Sequence, residues 1–169
     1  MKPRALILGA GCSGRGQLGQ LAHAAGWDLV FVDRDRDLVA RLRQAGRYRV
    51  RLCRADGERE ALIDGFRAYG PEETDAIVRE GLSAALVLTC LFSHNLPAAA
   101  PLVAQLIAAR RQARCQDPLN VICCENMQHG STVFRRHVWP LLAPTDRAYA
   151  ERSVGFPDAM ISRVVPLPA

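Results

Sequence analysis

The sequence predicts an α/β fold, a doubly wound and mostly parallel sheet covered by helices, and three observations carry the prediction. Short apolar runs of strand length alternate with segments whose apolar residues recur at helical spacing. The first run ends in a cluster of glycines that leads straight into a helix-periodic segment, and the second ends in an acid, Asp33. At 169 residues the chain is long enough for one α/β domain with a sizeable core, and 1–169 reads as that single domain.

In order, Ala5 to Leu8 is a strand, and Leu18, Leu21, Ala22 and Ala25 share one helix face before Gly26 ends the helix. Asp28 to Asp33 is a second buried strand. Asp35 or Asp37 caps the next helix, with Leu38, Val39, Leu42 and Ala45 on its inner face and Gly46 as its stop. Between 48 and 70 the pattern changes. Tyr48, Val50 and Leu52 alternate with Arg49, Arg51 and Cys53, Asp56-Gly57 marks a turn, and Leu62 to Tyr69 returns as a strand, an antiparallel excursion. Pro71-Glu72-Glu73 opens a short helix. Ala84 to Thr89 is an apolar strand, and Pro101 opens a helix whose apolar face is Leu102, Val103, Leu106 and Ile107. Arg110, Arg111 and Arg114 read as its solvated end. Pro118 to Cys124 is the next strand, Ser131 caps a helix through Val138, Pro144 opens another toward Glu151, and Met160 to Val165 is a final extended piece.

Composition excludes several classes. The longest apolar stretches, Leu82 to Phe92 and Leu96 to Ala109, are interrupted by polar residues and Pro, short of the ~20 apolar residues that span a bilayer. The amino-terminal apolar run reaches Gly9 too soon for a signal peptide, so a cytoplasmic protein is expected. The formal charge is +5, yet the arginines are scattered among acids without interleaved aromatics, so neither nucleic acid nor membrane is an expected partner. Six cysteines show neither a disulfide framework nor a C-x-x-C pair. Cys123 and Cys124 point to opposite faces of a strand, and His129 and His137 are wrongly spaced for zinc, so no metal is expected. Cys12 and Cys90 read as ordinary thiols, since only His94 offers a nearby base, to Cys90. Of the 22 basic residues, Lys2 is the only lysine.

The glycines satisfy G-x-G-x-x-G at Gly9, Gly11 and Gly14, after a strand and before a helix. Gly9 serves the tight turn, Gly11 the close approach of a pyrophosphate, and Gly14 close helix packing. The turn Gly9, Ala10, Gly11, Cys12, Ser13 and Gly14 is thus a candidate dinucleotide site, with backbone N–H groups and the Ser13 hydroxyl turned to phosphate. Asp33 lies 19 residues after Gly14, placed to accept hydrogen bonds from ribose hydroxyls and to repel a 2′-phosphate. That favours NAD over NADP, while Arg34 and Arg36 pull the other way. S-adenosylmethionine is the rival ligand, because methyltransferases also use a glycine-rich first turn and an acid ending the second strand.

Longer blocks carry a family resemblance: Gly9-Ala-Gly-Cys-Ser-Gly-Arg-Gly16, Phe31-Val-Asp33, Asn120-Val-Ile-Cys-Cys-Glu-Asn-Met127, Gly130-Ser131, His137-Val138, Val154-Gly-Phe-Pro-Asp158 and Arg163-Val-Val-Pro166. Together they resemble the mannitol dehydrogenase family of long-chain polyol dehydrogenases, nearest its mannitol-1-phosphate 5-dehydrogenase branch. The resemblance implies a Rossmann domain that binds NAD(H) for hydride exchange with a polyol or polyol phosphate. It also implies a separate helical domain carrying a catalytic lysine, expected to lie outside these residues, with a docking face for it on this domain. Lys2 precedes the first strand, at the wrong end of the sheet for that base.

By the same resemblance Thr89 and Cys90 pass beside the nicotinamide half of the cofactor, and Glu125 and Asn126 face nicotinamide and substrate; the alternative for that pair is a loop cap. Asp158 is the candidate catalytic residue. It stabilises an alkoxide if protonated, or orients a lysine. The chain departs from the family pattern at Cys12-Ser13, at Leu91 to Asn95 and at Ser162. A stand-alone NAD-binding or sensing module without dehydrogenase activity is the alternative function.

Overall fold

The computed structural model describes residues 2–161 and Val165, apart from the side chain of Arg54. Six parallel strands form the main sheet: β1 (Arg4–Leu8), β2 (Asp28–Val32), β5 (Arg67–Tyr69), β6 (Ala84–Thr89), β7 (Leu119–Cys123) and β8 (Val154–Gly155). Their order is β5-β2-β1-β6-β7-β8. From β1 the chain winds first one way and then the other, so a crevice opens between the carboxyl ends of β1 and β6.

Alternation along each strand builds a two-sided core. Leu6, Leu8, Val30, Val32, Val87 and Val121 pack under α3 (Thr74–Gly81), α4 (Leu96–Gln112), α5 (Gly130–Val138) and α6 (Pro144–Ser153). On the other face Ala5, Ile7, Leu29 and Phe31 meet Leu18 of the first helical segment, α2 (Arg36–Ala45) and Ile63. That segment runs through widened turns at Gly14–Gly19 into α1 (Gln20–Ala24). The Asp35 carboxylate caps α2 by accepting from Leu38 N, and Gly46 ends it with φ 62°.

The excursion is a separate ribbon of β3 (Arg47–Arg54) and β4 (Gly57–Asp64), and here the sequence reading needs correction. Leu62 to Tyr69 is not one strand. Gly65, at φ 64°, turns the chain so that β4 closes the ribbon while β5 joins β2 in parallel. The ribbon's apolar face is anchored by Tyr48, which meets Phe31 and Phe66 edge-on or tilted at 5.4–6.1 Å between ring centres.

Three helix starts and one helix end also differ, the first being α3, which begins at Thr74 with Pro71 to Glu73 as a turn before it. The α4 helix begins at Leu96, with Pro97 in its first turn and Pro101 inside it. Ser131 does not cap α5: His129 holds that position at φ 54°, and Ser131 Oγ instead accepts from Cys123 N at 2.9 Å. Arg110 is not solvated. It is fully buried, donating through Nη1 to the carbonyls of Gly81, Leu82 and Ala84 and through Nη2 to that of Asp117, at 2.6–3.0 Å. A guanidinium is buried here because it satisfies carbonyls at the end of α3 that no helix bond serves. Residues 162–164 of the expected last extended piece lie outside the described residues, as do Arg163 and Pro166 of the family block and Ser162.

At the amino-terminal edge of the sheet four charges alternate. Asp28 Oδ2 accepts from Arg4 Nε and from Arg67 Nη2, both at 2.7 Å. Glu80 lies 2.8 Å from Arg4 Nη1 and 2.7 Å from Arg67 Nε. Burial raises the Asp28 carboxyl pKa, but the bonds from Arg67 and Arg4 outweigh it and hold it below its ordinary value of 3.8. A depressed carboxyl stabilises the fold above its unfolded pKa and loses that contribution as pH falls through the folded one. Asp28→Asn is therefore destabilised at pH 7, and urea denaturation shows the gap to the unaltered chain closing as pH drops below 3.8. Arg110→Met leaves four carbonyls without their donor and costs about 3 kcal/mol or more in the same assay.

Candidate functional site

The glycine turn lies at the carboxyl end of β1, and at two of its glycines backbone meets backbone with no space for a side chain. Gly9 has φ 99°, and a Cβ there would fall 2.3 Å from the Cys90 carbonyl oxygen at the end of β6. At Gly14 a Cβ would fall 1.9 Å from the Gly9 oxygen. Gly11 is the reverse: nothing lies within 4 Å of the place its Cβ would take. Two glycines thus let strand and helix touch, and the third leaves an exposed face between them.

Hydrogen bonds fasten this turn to its neighbours. Asp33, one residue past β2, accepts from Ala10 N through Oδ2 at 2.6 Å and from Asp35 N through Oδ1 at 2.9 Å. The Ala10 carbonyl accepts from the Arg15 guanidinium, and the Arg15 carbonyl accepts from the Tyr48 hydroxyl at 3.1 Å. Ser13 and Arg34 are exposed, and Cys12 between Gly11 and Ser13 is half-buried. Gly9 N donates to Val32 O and Cys90 N to Leu8 O, so the ends of β2, β1 and β6 form one surface.

Glu125, buried beyond the end of β7, ties that surface to the next strand. It accepts from Thr89 Oγ1 through Oε2 at 2.7 Å and from Leu91 N through Oε1 at 2.8 Å. Asn126 beside it is exposed. Burial, with the Glu125 charge, pushes the Cys90 thiol up to about 11, and burial pushes Cys123 and Cys124 up to about 12. These thiols are protonated at neutral pH and poor nucleophiles.

Asp158 stands apart from that cluster, exposed and bound to the first turn of α5. It accepts from Thr132 N at 3.0 Å and from Thr132 Oγ1 at 2.8 Å, and its Oδ2 lies 3.3 Å from His129 Nδ1. The Thr132 N–H and hydroxyl, then His129, hold its carboxyl below the ordinary Asp value, so it is ionised at neutral pH. An ionised carboxylate only accepts hydrogen bonds.

The structure thus brings Gly9 to Gly14, Asp33, Thr89, Cys90 and Glu125 into one hydrogen-bonded surface. Sequence reasoning missed Arg15, Leu91, His129 and Thr132. Leu91 acts through its backbone N–H, which no side-chain pattern reveals, and Thr132 was hidden by the adjacent Ser131, the more obvious cap. Among the described residues no group of His, Cys, Asp and Glu is arranged to hold a metal, and no helix is long and apolar enough to cross a membrane. Gly14→Ala must push helix from strand and costs about 3 kcal/mol or more in urea denaturation, whereas Gly11→Ala changes stability by less than about 0.5 kcal/mol.

Comparison with known proteins agrees with this architecture. The family model described as the mannitol dehydrogenase Rossmann domain matches residues 3–168. Mannitol-1-phosphate 5-dehydrogenases of Brevibacillus brevis and Geobacillus thermodenitrificans are each 38% identical to the chain, covering 96% of it and 42% of their own length. The chain therefore spans less than half of those relatives. In fold it is similar to Pseudomonas fluorescens mannitol 2-dehydrogenase, solved as a ternary complex with NAD and D-mannitol, with TM-score 0.80, 18% identity, and coverage of 100% of this chain and 43% of that one. A substrate-free D-sorbitol dehydrogenase gives TM-score 0.78 at 18% identity, covering 99% of this chain and 44% of that one. With the glycine turn, the parallel sheet and the family model all in register, the chain belongs to the mannitol dehydrogenase family, of which it forms the Rossmann domain.

Proposed function

We propose that the chain binds NAD(H) along the carboxyl ends of β1, β2, β6 and β7 and acts as the cofactor half of a polyol or polyol-phosphate dehydrogenase. The observation that carries this reading is the open face at Gly11, set between two glycines packed against backbone, in a chain of this family. The residues present fit the cofactor. The N–H groups opening the first helical segment and the Ser13 hydroxyl suit the diphosphate. Asp33 uses each oxygen once, and a carboxylate has about four acceptor positions, so ribose hydroxyls still find acceptors there. Its charge opposes a 2′-phosphate and favours NAD over NADP, with Arg34 the neighbouring cation.

Thr89, Cys90, Glu125 and Asn126 are assigned to the nicotinamide side of the crevice, where bound NAD supplies the hydride acceptor. Glu125 keeps the loop after β6 in place through Leu91 N. Asp158, ionised and accepting, is assigned to orienting a cationic base rather than donating to an alkoxide. Lys2 precedes β1 at the opposite edge of the sheet, so it is not that base. Phe92, 73% exposed and stacked on His94 beyond β6, lies on the face assigned to docking the rest of the enzyme.

Titration calorimetry with NADH, NADPH and S-adenosylmethionine tests the reading. NADH binds, Gly11→Ala weakens it about tenfold or more, and Asp33→Ala weakens NADH more than NADPH. With NAD and mannitol 1-phosphate this chain alone produces little NADH. Absence of NADH binding, or binding of S-adenosylmethionine in its place, overturns the reading.

A further inference from the structure

Arg15 is the charged side chain of the turn region that has no role so far. Arg15 is half-buried, its guanidinium donates to the Ala10 carbonyl, and no carboxylate pairs with it among the described residues. Arg4 and Arg67 are neutralised by Asp28 and Glu80, and Arg111 by Asp146, whereas Arg147, also half-buried, donates to the Trp139 carbonyl. Arg15 instead lies close enough to the Tyr48 phenol to act on it as a positive charge. A guanidinium has five N–H donors, so one bound to a single carbonyl keeps donors free for an anion.

The Ala10 peptide is gripped at both ends, its N–H by Asp33 and its carbonyl by Arg15, directly before the open face at Gly11. The two contacts differ in kind. Asp33 to Ala10 N is a charge-assisted bond that a ligand need not break, because the carboxylate keeps other acceptor positions. The bond from Arg15 to a neutral carbonyl is the weaker use of a guanidinium, whose fork matches phosphate oxygens in pairs.

We propose that Arg15 is the diphosphate-recognition residue of this domain, exchanging the Ala10 carbonyl for the phosphate oxygens of a bound dinucleotide. This rests on the dinucleotide reading above and adds to it the group that selects ligands bearing a negatively charged linker. Arg15→Gln retains a donor for the Ala10 carbonyl and removes the charge. Calorimetry on the unaltered chain and on Arg15→Gln, each with NADH, ADP-ribose and adenosine, separates the claims. The expected result is a loss of about tenfold or more for NADH and ADP-ribose, with adenosine binding within about twofold of the unaltered chain.

Undiminished binding of ADP-ribose by Arg15→Gln overturns the assignment while leaving the dinucleotide site intact. An equal loss for adenosine also overturns it, because Arg15 would then act only by holding the turn. Failure of the unaltered chain to bind either NADH or ADP-ribose overturns the dinucleotide reading and this one with it. Should Arg15→Gln lose its native circular dichroism, the Arg15 side-chain Nε–H resonance of the unaltered chain decides. It shifts on adding ADP-ribose and not adenosine, and a resonance indifferent to ADP-ribose overturns the proposal.

Discussion

The arrangement depends on one steric constraint, the contact of bare backbone at Gly9. Its peptide is pressed between the Cα of Gly14 and the carbonyl of Cys90, with no space for a methyl group at either glycine. That contact brings the first helical segment onto β1 and sets the crevice between β1 and β6. Packed interiors do not yield gradually to an added methyl, so this approach distance is a property of residue identity at two positions.

Hydrogen bonds distribute that geometry along the sheet. Asp33 carries it to β2 through Ala10, and Glu125 carries it from β6 to the loop beyond β7 through Thr89 and Leu91. The opposite edge is held by other means. There the Arg4, Asp28, Arg67 and Glu80 array and the buried Arg110 satisfy chain ends and charges. The result is a division of labour within one sheet: paired charges and a carbonyl-bound Arg110 at the amino-terminal edge, and backbone N–H groups, an open glycine and Arg15, which has no carboxylate partner among the described residues, at the carboxyl-terminal edge. Ligand sites of open α/β sheets form at that second edge.

Legibility in the sequence followed the range of the interactions. Strands β1, β2, β6 and β7 and helix α2 were readable because their signals are local: apolar runs, an aspartate cap and a glycine stop. The differences fall where a local signal has two readings or where a distant partner decides. Pro101 looked like a helix start, yet an extra turn with its own Pro97 precedes it. Leu62 to Tyr69 looked continuous, yet Gly65 divides it between two sheets. Arg110 looked like a solvated helix end, because the carbonyls that bury it come from residues 81–84 and 117.

By itself the sequence determined the α/β alternation, the glycine turn with its distal acid, and the family, since each is written in residue types at short spacing or in contiguous blocks. Only the tertiary structure decided that Asp33 braces Ala10, that Glu125 bridges Thr89 and Leu91, that Asp158 is ionised on Thr132, and that Arg15 donates to the Ala10 carbonyl. The physical reason is that hydrogen-bond partnership and desolvation depend on groups that meet in space after folding, often across many residues of chain, and neither is encoded at any single position.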